Sequence, residues 1–285
     1  MGEPGYRIAE DPGDTGGAQT ATEQLTHCRH ALIVAHSHDL TGRQIRSAPV
    51  SDPVRHLYLH EYVDIVGEGA MQYMEHVAAF DTGTAADRGL DLLGTWYTMG
   101  STGRWPQVVN LWECVDGWAG WRRLMERTNL ARTKNPELGE WWRKALEVRS
   151  GGFDRLLGAA PGCPSLAELR AGGVTGSVFV HELSRVRPGA ALDYLAAVRD
   201  EWQPELADHG HALVGLYEVL LTDVEVLTVW ATDPAGHEAL GRATDAGVDD
   251  RIAKWRARAR DFLTHWREEL MTPYPGTPLS RGDSL

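Results

Sequence analysis

Twice along the chain, a run of alternating apolar and polar residues gives way to a stretch with apolar residues three positions apart. The first pass opens at 56–65, where His56-Leu-Tyr-Leu-His60-Glu61-Tyr62 alternates with period two and predicts a strand. Met71, Met74 and Val77 then lie three apart and predict a helix near 68–80. Strands are expected at 90–99 and 106–114, then helices over 117–130 and 136–149, with Asn135-Pro136 as the break. The second pass keeps this order. It gives a strand at 177–186 and a helix over 189–207 with Leu192, Leu195 and Val198 on one stripe. Strands at 212–221 and 224–232 follow, and then helices over 235–269 that start after Asp233-Pro234 and break near Gly247.

The two passes align residue by residue. One offset carries His60-Glu61 onto His181-Glu182, Tyr73-Met74 onto Tyr194-Leu195, and Leu93-Gly94-Thr-Trp96 onto Val214-Gly215-Leu-Tyr217. After a small deletion, Val109-Asn110-Leu-Trp112 falls on Leu227-Thr228-Val-Trp230. Matches in this order mark an internal duplication. Strand, helix, strand, strand, helix is the split β-α-β unit of the ferredoxin-like type. The expected fold class is therefore α+β: two ferredoxin-like β-α-β-β-α units in tandem, their antiparallel sheets facing each other as an α+β barrel. The expected organisation is a disordered acidic tail at 1–25, a first unit with an N-terminal extension at 26–149 and a linker at 150–176, which holds Gly-Gly and Pro-Gly-Cys-Pro. A second unit at 177–270 and a Pro-rich tail at 271–285 complete the chain. That tail is extended, and it covers a barrel mouth, mediates assembly or ends free.

Composition narrows the partners. Forty acidic against 28 basic residues give a net charge of −12, which repels phosphate backbones and argues against nucleic acid. No apolar run approaches the roughly 20 residues of a membrane-spanning helix, and the first residues carry no apolar stretch of a secretion signal. Cys28, Cys114 and Cys163 have no paired spacing, so neither a disulfide framework nor a cysteine zinc site is expected, and the compartment reads as a reducing cytoplasm. His27, His30, His36 and His38, with Asp39, are imidazole-rich but lack a partner at a recognised spacing, so no metal site is expected. Lys254, Arg256, Arg258 and Arg260 read as a solvated helix face. No nucleophile elbow, Walker loop or dinucleotide-binding glycine motif occurs.

At Leu57-Tyr-Leu-His-Glu-Tyr62, the Leu-Gly turn into Trp96-Tyr97, Val109-Asn-Leu-Trp112-Glu, Val180-His-Glu-Leu and Arg187-Pro-Gly189, the chain resembles the NIPSNAP-like members of the dimeric α+β-barrel superfamily. The first unit departs from the pattern, with Gly67-Glu68 in place of Pro-Gly before its helix. The resemblance implies two four-stranded sheets face to face, usually supplied by two chains. Its relatives include cofactor-free monooxygenases, isomerases, lyases, haem enzymes and members without known activity, so the fold alone selects no reaction.

Helices on one face of each sheet should take Val109, Leu111, Leu227 and Val229, which turns Asn110, Trp112, Cys114, Thr228 and Trp230 toward the barrel interior. In the first strands, Tyr58, His60, Tyr62, Phe179, His181 and Leu183 are expected inside. Leu59, Val180, Glu61 and Glu182 are expected on the helix side, with the two acids reaching a helix N-terminus or an arginine. For the second strands, either Trp96 and Tyr217 or Tyr97 and Glu218 face inward. Trp96, Trp105 and Trp112 are the tryptophan pocket candidates. His60, His181, Tyr62 and Tyr97 are then the candidate catalytic groups. Tyr58, Trp96, Asn110, Trp112, Phe179, Tyr217, Glu218 and Trp230 are the candidate substrate-binding groups, with no cofactor and no metal. Histidine moves protons near neutral pH, and tyrosine or asparagine stabilises an oxyanion. The function expected is a small-molecule isomerase, cyclase or lyase acting by acid–base chemistry on an apolar or aromatic carbonyl compound, in a possible homo-oligomer. The alternatives are a non-catalytic ligand-binding or assembly protein, and a haem or metal enzyme with His60 or His181 as axial ligand. The repeated His-Glu pair also reads as framework, such as a hydrogen bond between the two sheets.

Overall fold

A strand with apolar side chains on both faces needs a cover on both faces, and a sheet closed on itself with helices outside supplies it. The computed structural model describes residues 55–81, 85–130 and 136–281, without side-chain detail for 128–130. The expected acidic tail, the N-terminal extension and the His27–His38 cluster lie outside these residues. In the first half, β1 (Leu57–Ile65), α1 (Ala70–Phe80), β2 (Leu90–Thr98) and β3 (Gln107–Cys114) come first. They are followed by α2 (Trp118–Leu124, running on as a π-turn to Leu130), α3 (Pro136–Ala145) and β4 (Arg149–Ala159). A short α4 (Leu166–Ala171) leads into the second half: β5 (Val178–Val186), α5 (Ala191–Ala197), α6 (Gln203–Asp208), β6 (Ala212–Val219), β7 (Glu225–Thr232), α7 (Pro234–Ala246), α8 (Asp250–Ala259) and β8 (Leu263–Pro273).

The strands close in the order β1-β3-β2-β8-β5-β7-β6-β4, every pair antiparallel. Each half contributes the same sheet, 4-1-3-2 and 8-5-7-6, and two short seams, β2 to β8 and β4 to β6, join them. One chain thus closes its own barrel, an α+β fold of two ferredoxin-like halves. The duplication extends to irregularities. The register shifts at Leu92/Gly94 and again at Leu213/Gly215, and at Asp64/Ile65 and again at Arg185/Val186. Gly94 and Gly215 sit at those shifts because a Cβ there would come within 2.3 Å of the Trp96 ring and 2.2 Å of Tyr217. The repeated Leu-Gly and Val-Gly turns are therefore the space into which the two interior aromatics fold.

Two expectations are corrected. Residues 149–159, read as the end of a helix and the start of a linker, form β4. Its glycines mark close backbone approach: a Cβ on Gly152, whose φ is +148°, would sit 2.0 Å from the Tyr62 carbonyl oxygen. Residues 263–273, read as helix and tail, form β8; pairing along the whole length of β5 overrides the helix propensity of Arg267-Glu-Glu-Leu270. Beyond β8 the chain packs against the body. Leu279 is buried with Leu166 and Leu169 of α4 in the interior cluster, so α4 and this segment plug one end of the barrel. No helix among the described residues is long and apolar enough to cross a membrane. Cys114 and Cys163 are free thiols.

Candidate active site

The interior holds Tyr58, His60, Tyr62, Phe179 and His181, as the alternation predicts, and Trp96 and Tyr217 rather than Tyr97 and Glu218. Tyr97 packs with the helix-side cluster, and Glu218 pairs with Arg55 at 2.5 Å. The interior is filled: Tyr58 lies 4.8 Å from Tyr217, Trp96 5.2 Å from Phe179 and 5.0 Å from His181, and His60 4.9 Å from Tyr62, centroid to centroid. His60 Nε2 and His181 Nδ1 stand 3.3 Å apart, so one ring donates to the other across the two halves. Both rings are 0% exposed. Burial drives both imidazoles down, His181 to about 3 and His60 well below its usual value with His181 adding to the effect. Two neutral rings locked in a packed core form a seam between sheets, and neither cavity described below reaches them. A porphyrin ligated by His60 or His181 does not fit this interior.

The seam has a measurable consequence. Unfolded histidines charge near pH 6.5, whereas the folded pair stays neutral. The folded state therefore keeps its full stability above that pH and loses it as pH falls from 6.5 toward 3. The loss is about 1.4 kcal/mol per pH unit for each histidine. Urea unfolding of His181→Phe between pH 7 and 4.5 should show a flatter acid limb than the parent chain.

The phase expected for the third strands is reversed. Val109, Leu111, Leu227 and Val229 point into the barrel, while Trp112 and Cys114 join the helix-side cluster of the first half and Trp230 that of the second. Asn110 and Thr228 also face outward, bonded to the acids of the first strands. Both faces of these strands are buried, so alternation carried no sign of which face is which. Glu61 lies within the field of Arg149, and both acids bond side chains of the third strands. Glu61 accepts from Trp112 Nε1 at 2.8 Å and Asn110 Nδ2 at 3.1 Å. Glu182 accepts from Trp230 Nε1 at 2.6 Å and from Thr228 Oγ1. Trp105 is 59% exposed and lines no pocket described here.

The duplicated acids acquire partners from β4 and β8, strands that the hydrophobic pattern does not mark. Glu61 stands directly opposite Asp154 on β4, and Glu182 directly opposite Glu268 on β8. Cross-strand neighbours put their Cβ atoms roughly 4.5–5.5 Å apart, so two carboxyls there cannot both ionise cheaply. In the second half this pair faces a cavity of about 630 Å³ between the sheet and helices α5, α7 and α8. Its aromatic walls are Tyr194, Trp202, Trp255 and Trp266; Trp202 and Trp255 stack at 5.6 Å and 9°. His237, Arg256, Arg260 and His265 add polar groups. Burial raises both carboxyls. Glu182 accepts from indole and hydroxyl donors, with Trp266 Nε1 also within 3.5 Å, and these bonds oppose the rise that burial causes. Burial first, and then the neighbouring Glu182, push Glu268 up to about 8, with Arg256 opposing the shift. Among the described residues no group of three His, Cys, Asp or Glu is placed to hold a metal ion.

No protein-family model matches the chain, and no curated protein matches its sequence. Solved structures do match in shape. A candidate monooxygenase from Fusobacterium nucleatum aligns over 78% of this chain and 93% of its own, with 10% identity and a TM-score of 0.52. A candidate monooxygenase from Lactobacillus acidophilus aligns over 77% and 94%, with 8% identity and a TM-score of 0.52. A mutant chlorite dismutase from Candidatus Nitrospira defluvii aligns over 79% and 94%, with 13% identity and a TM-score of 0.36. What these likenesses and the closed barrel establish is the fold, an α+β barrel built from two ferredoxin-like halves of a single chain.

Proposed function

We propose that the chain is a small-molecule enzyme using acid–base chemistry on an apolar or aromatic carbonyl compound, in the cavity under the helices of the second half. The supporting observation is one carboxyl, Glu268, pushed up to about 8 by burial and by Glu182 opposite it while lining an aromatic cavity. Tryptophan and tyrosine walls suit a flat apolar substrate. Glu268 would donate its proton as charge moves onto the substrate and recover one from a neighbouring carbon. This moves a double bond or expels a leaving group without any co-reactant, as an isomerase, cyclase or lyase requires. Glu182 positions and tunes Glu268 from across the strand pair. In this reading the chemistry leaves His60, His181, Tyr62 and Tyr97 as framework and moves to the outer face of the sheet. The NIPSNAP-like affinity rests on the motifs at 57–62, 96–97, 109–113 and 180–189.

The test is a screen of aromatic and polyketide-like carbonyl compounds by quenching of the cavity tryptophans, with turnover of any binder compared in the parent chain and Glu268→Gln. Binding with unchanged chemistry in both would leave a ligand-binding protein. A second reading, a haem held in this same cavity, draws on His237 Nδ1, which is buried without a hydrogen-bond partner among the described residues, and on His265 nearby. Bound there, haem would supply redox chemistry, and the absorption spectrum of freshly purified protein separates the two readings.

A further inference from the structure

The barrel end opposite the α4 plug is lined by charge. Arg155 of β4, Arg185 of β5 and Arg267 of β8 all stand at inward positions of their strands: Arg155 is opposite His60, and Arg267 is opposite Leu183. Together with Glu225, Leu183, Val219 and His265 they line a second cavity of about 430 Å³. Three guanidiniums gathered from three strands run against the trend of a chain with a net charge of −12.

Internal partners leave two of the three guanidiniums with long contacts only. Glu225 is shared by Arg155 at 3.8 Å and Arg185 at 3.4 Å, two long contacts to one carboxylate. Glu269 pairs with Arg267 and also accepts from Tyr62 Oη at 2.7 Å. Arg155 Nη1 is buried and has no hydrogen-bond partner among the described residues. The guanidinium plane is meanwhile fixed over the rings of Phe153 at 4.7 Å and Tyr62 at 5.5 Å, which themselves stack at 4.9 Å. An orphan N–H on an arginine already held in place is expensive to leave unpaired and well suited to receive an oxyanion.

We propose that this mouth of the barrel binds the oxyanion group, carboxylate or phosphate, of a small molecule, with Arg155 as its principal donor and Arg185 and Arg267 completing the positive wall. This site is separate from the Glu182–Glu268 cavity and does not depend on the reading given to it, although Thr264 and His265 border both.

Calorimetric titration of the full chain with acetate and with inorganic phosphate, each at matched ionic strength in chloride, tests it. One-to-one binding of at least one of the two is expected, and which one binds identifies the source of the oxyanion. Arg155→Gln should weaken that binding at least tenfold. Glu225→Gln should tighten it several-fold, because the competing carboxylate is removed, and a merely structural lesion would not do that. The proposal is overturned if neither anion binds above the chloride control, if Arg155→Gln binds as the parent does, or if Glu225→Gln fails to tighten binding.

Discussion

Glu268→Gln is expected to reduce turnover of the chain's substrate by roughly 10²- to 10⁴-fold, the usual contribution of a positioned proton carrier. The amide keeps the shape of the side chain and the aromatic cavity of Trp202, Trp255 and Trp266, so ligand binding should change far less than rate. Glu182→Gln should act differently. It removes the neighbouring charge that helps hold the Glu268 proton, so the pH profile of turnover should move toward the ordinary carboxylate range rather than vanish. A substrate turned over at the parent rate by Glu268→Gln would refute the assignment.

The same substitution should make the protein more stable in mild alkali. An unfolded glutamate ionises near 4.5, whereas folded Glu268 holds its proton to about 8. Between those values the unfolded state has released a proton that the folded state retains. Stability from this group is therefore full below pH 4.5, falls by about 1.4 kcal/mol per unit as pH rises, and is lost above 8. Glutamine has no such proton. After allowance for the group's partial exposure, Glu268→Gln should exceed the parent chain by on the order of 3 kcal/mol at pH 8 and match it near pH 4.5. Urea denaturation at the two pH values measures this. Lower activity together with higher stability is the pattern of a group kept under strain for its chemistry.

The duplication was legible because it left matching residues: His60-Glu61 with His181-Glu182, and the glycines that clear Trp96 and Tyr217. The inward phase of the first strands was legible too. Three things were hidden by physics that a linear reading does not carry. Strands buried on both faces give no alternation, so Asn110, Trp112 and Trp230 were assigned to the wrong side. β8 is written in residues of good helix propensity, and only its pairing with β5 makes it a strand. Missing β8 meant missing Glu268, because a carboxyl pair across two strands exists only once the register is known. The repeated Glu61 and Glu182 carried the available signal. A charged residue kept inside both copies of a buried strand calls for a partner.

The most direct test of the central claim is a pH titration of the glutamate side-chain carboxyl carbons by NMR, in the parent chain and in Glu182→Gln. One carboxyl titrating near pH 8, absent from Glu268→Gln and shifted downward in Glu182→Gln, is the predicted result. A Glu268 carboxyl that titrates between about 4 and 5 in the parent chain, in the range of an ordinary glutamate, would contradict the account.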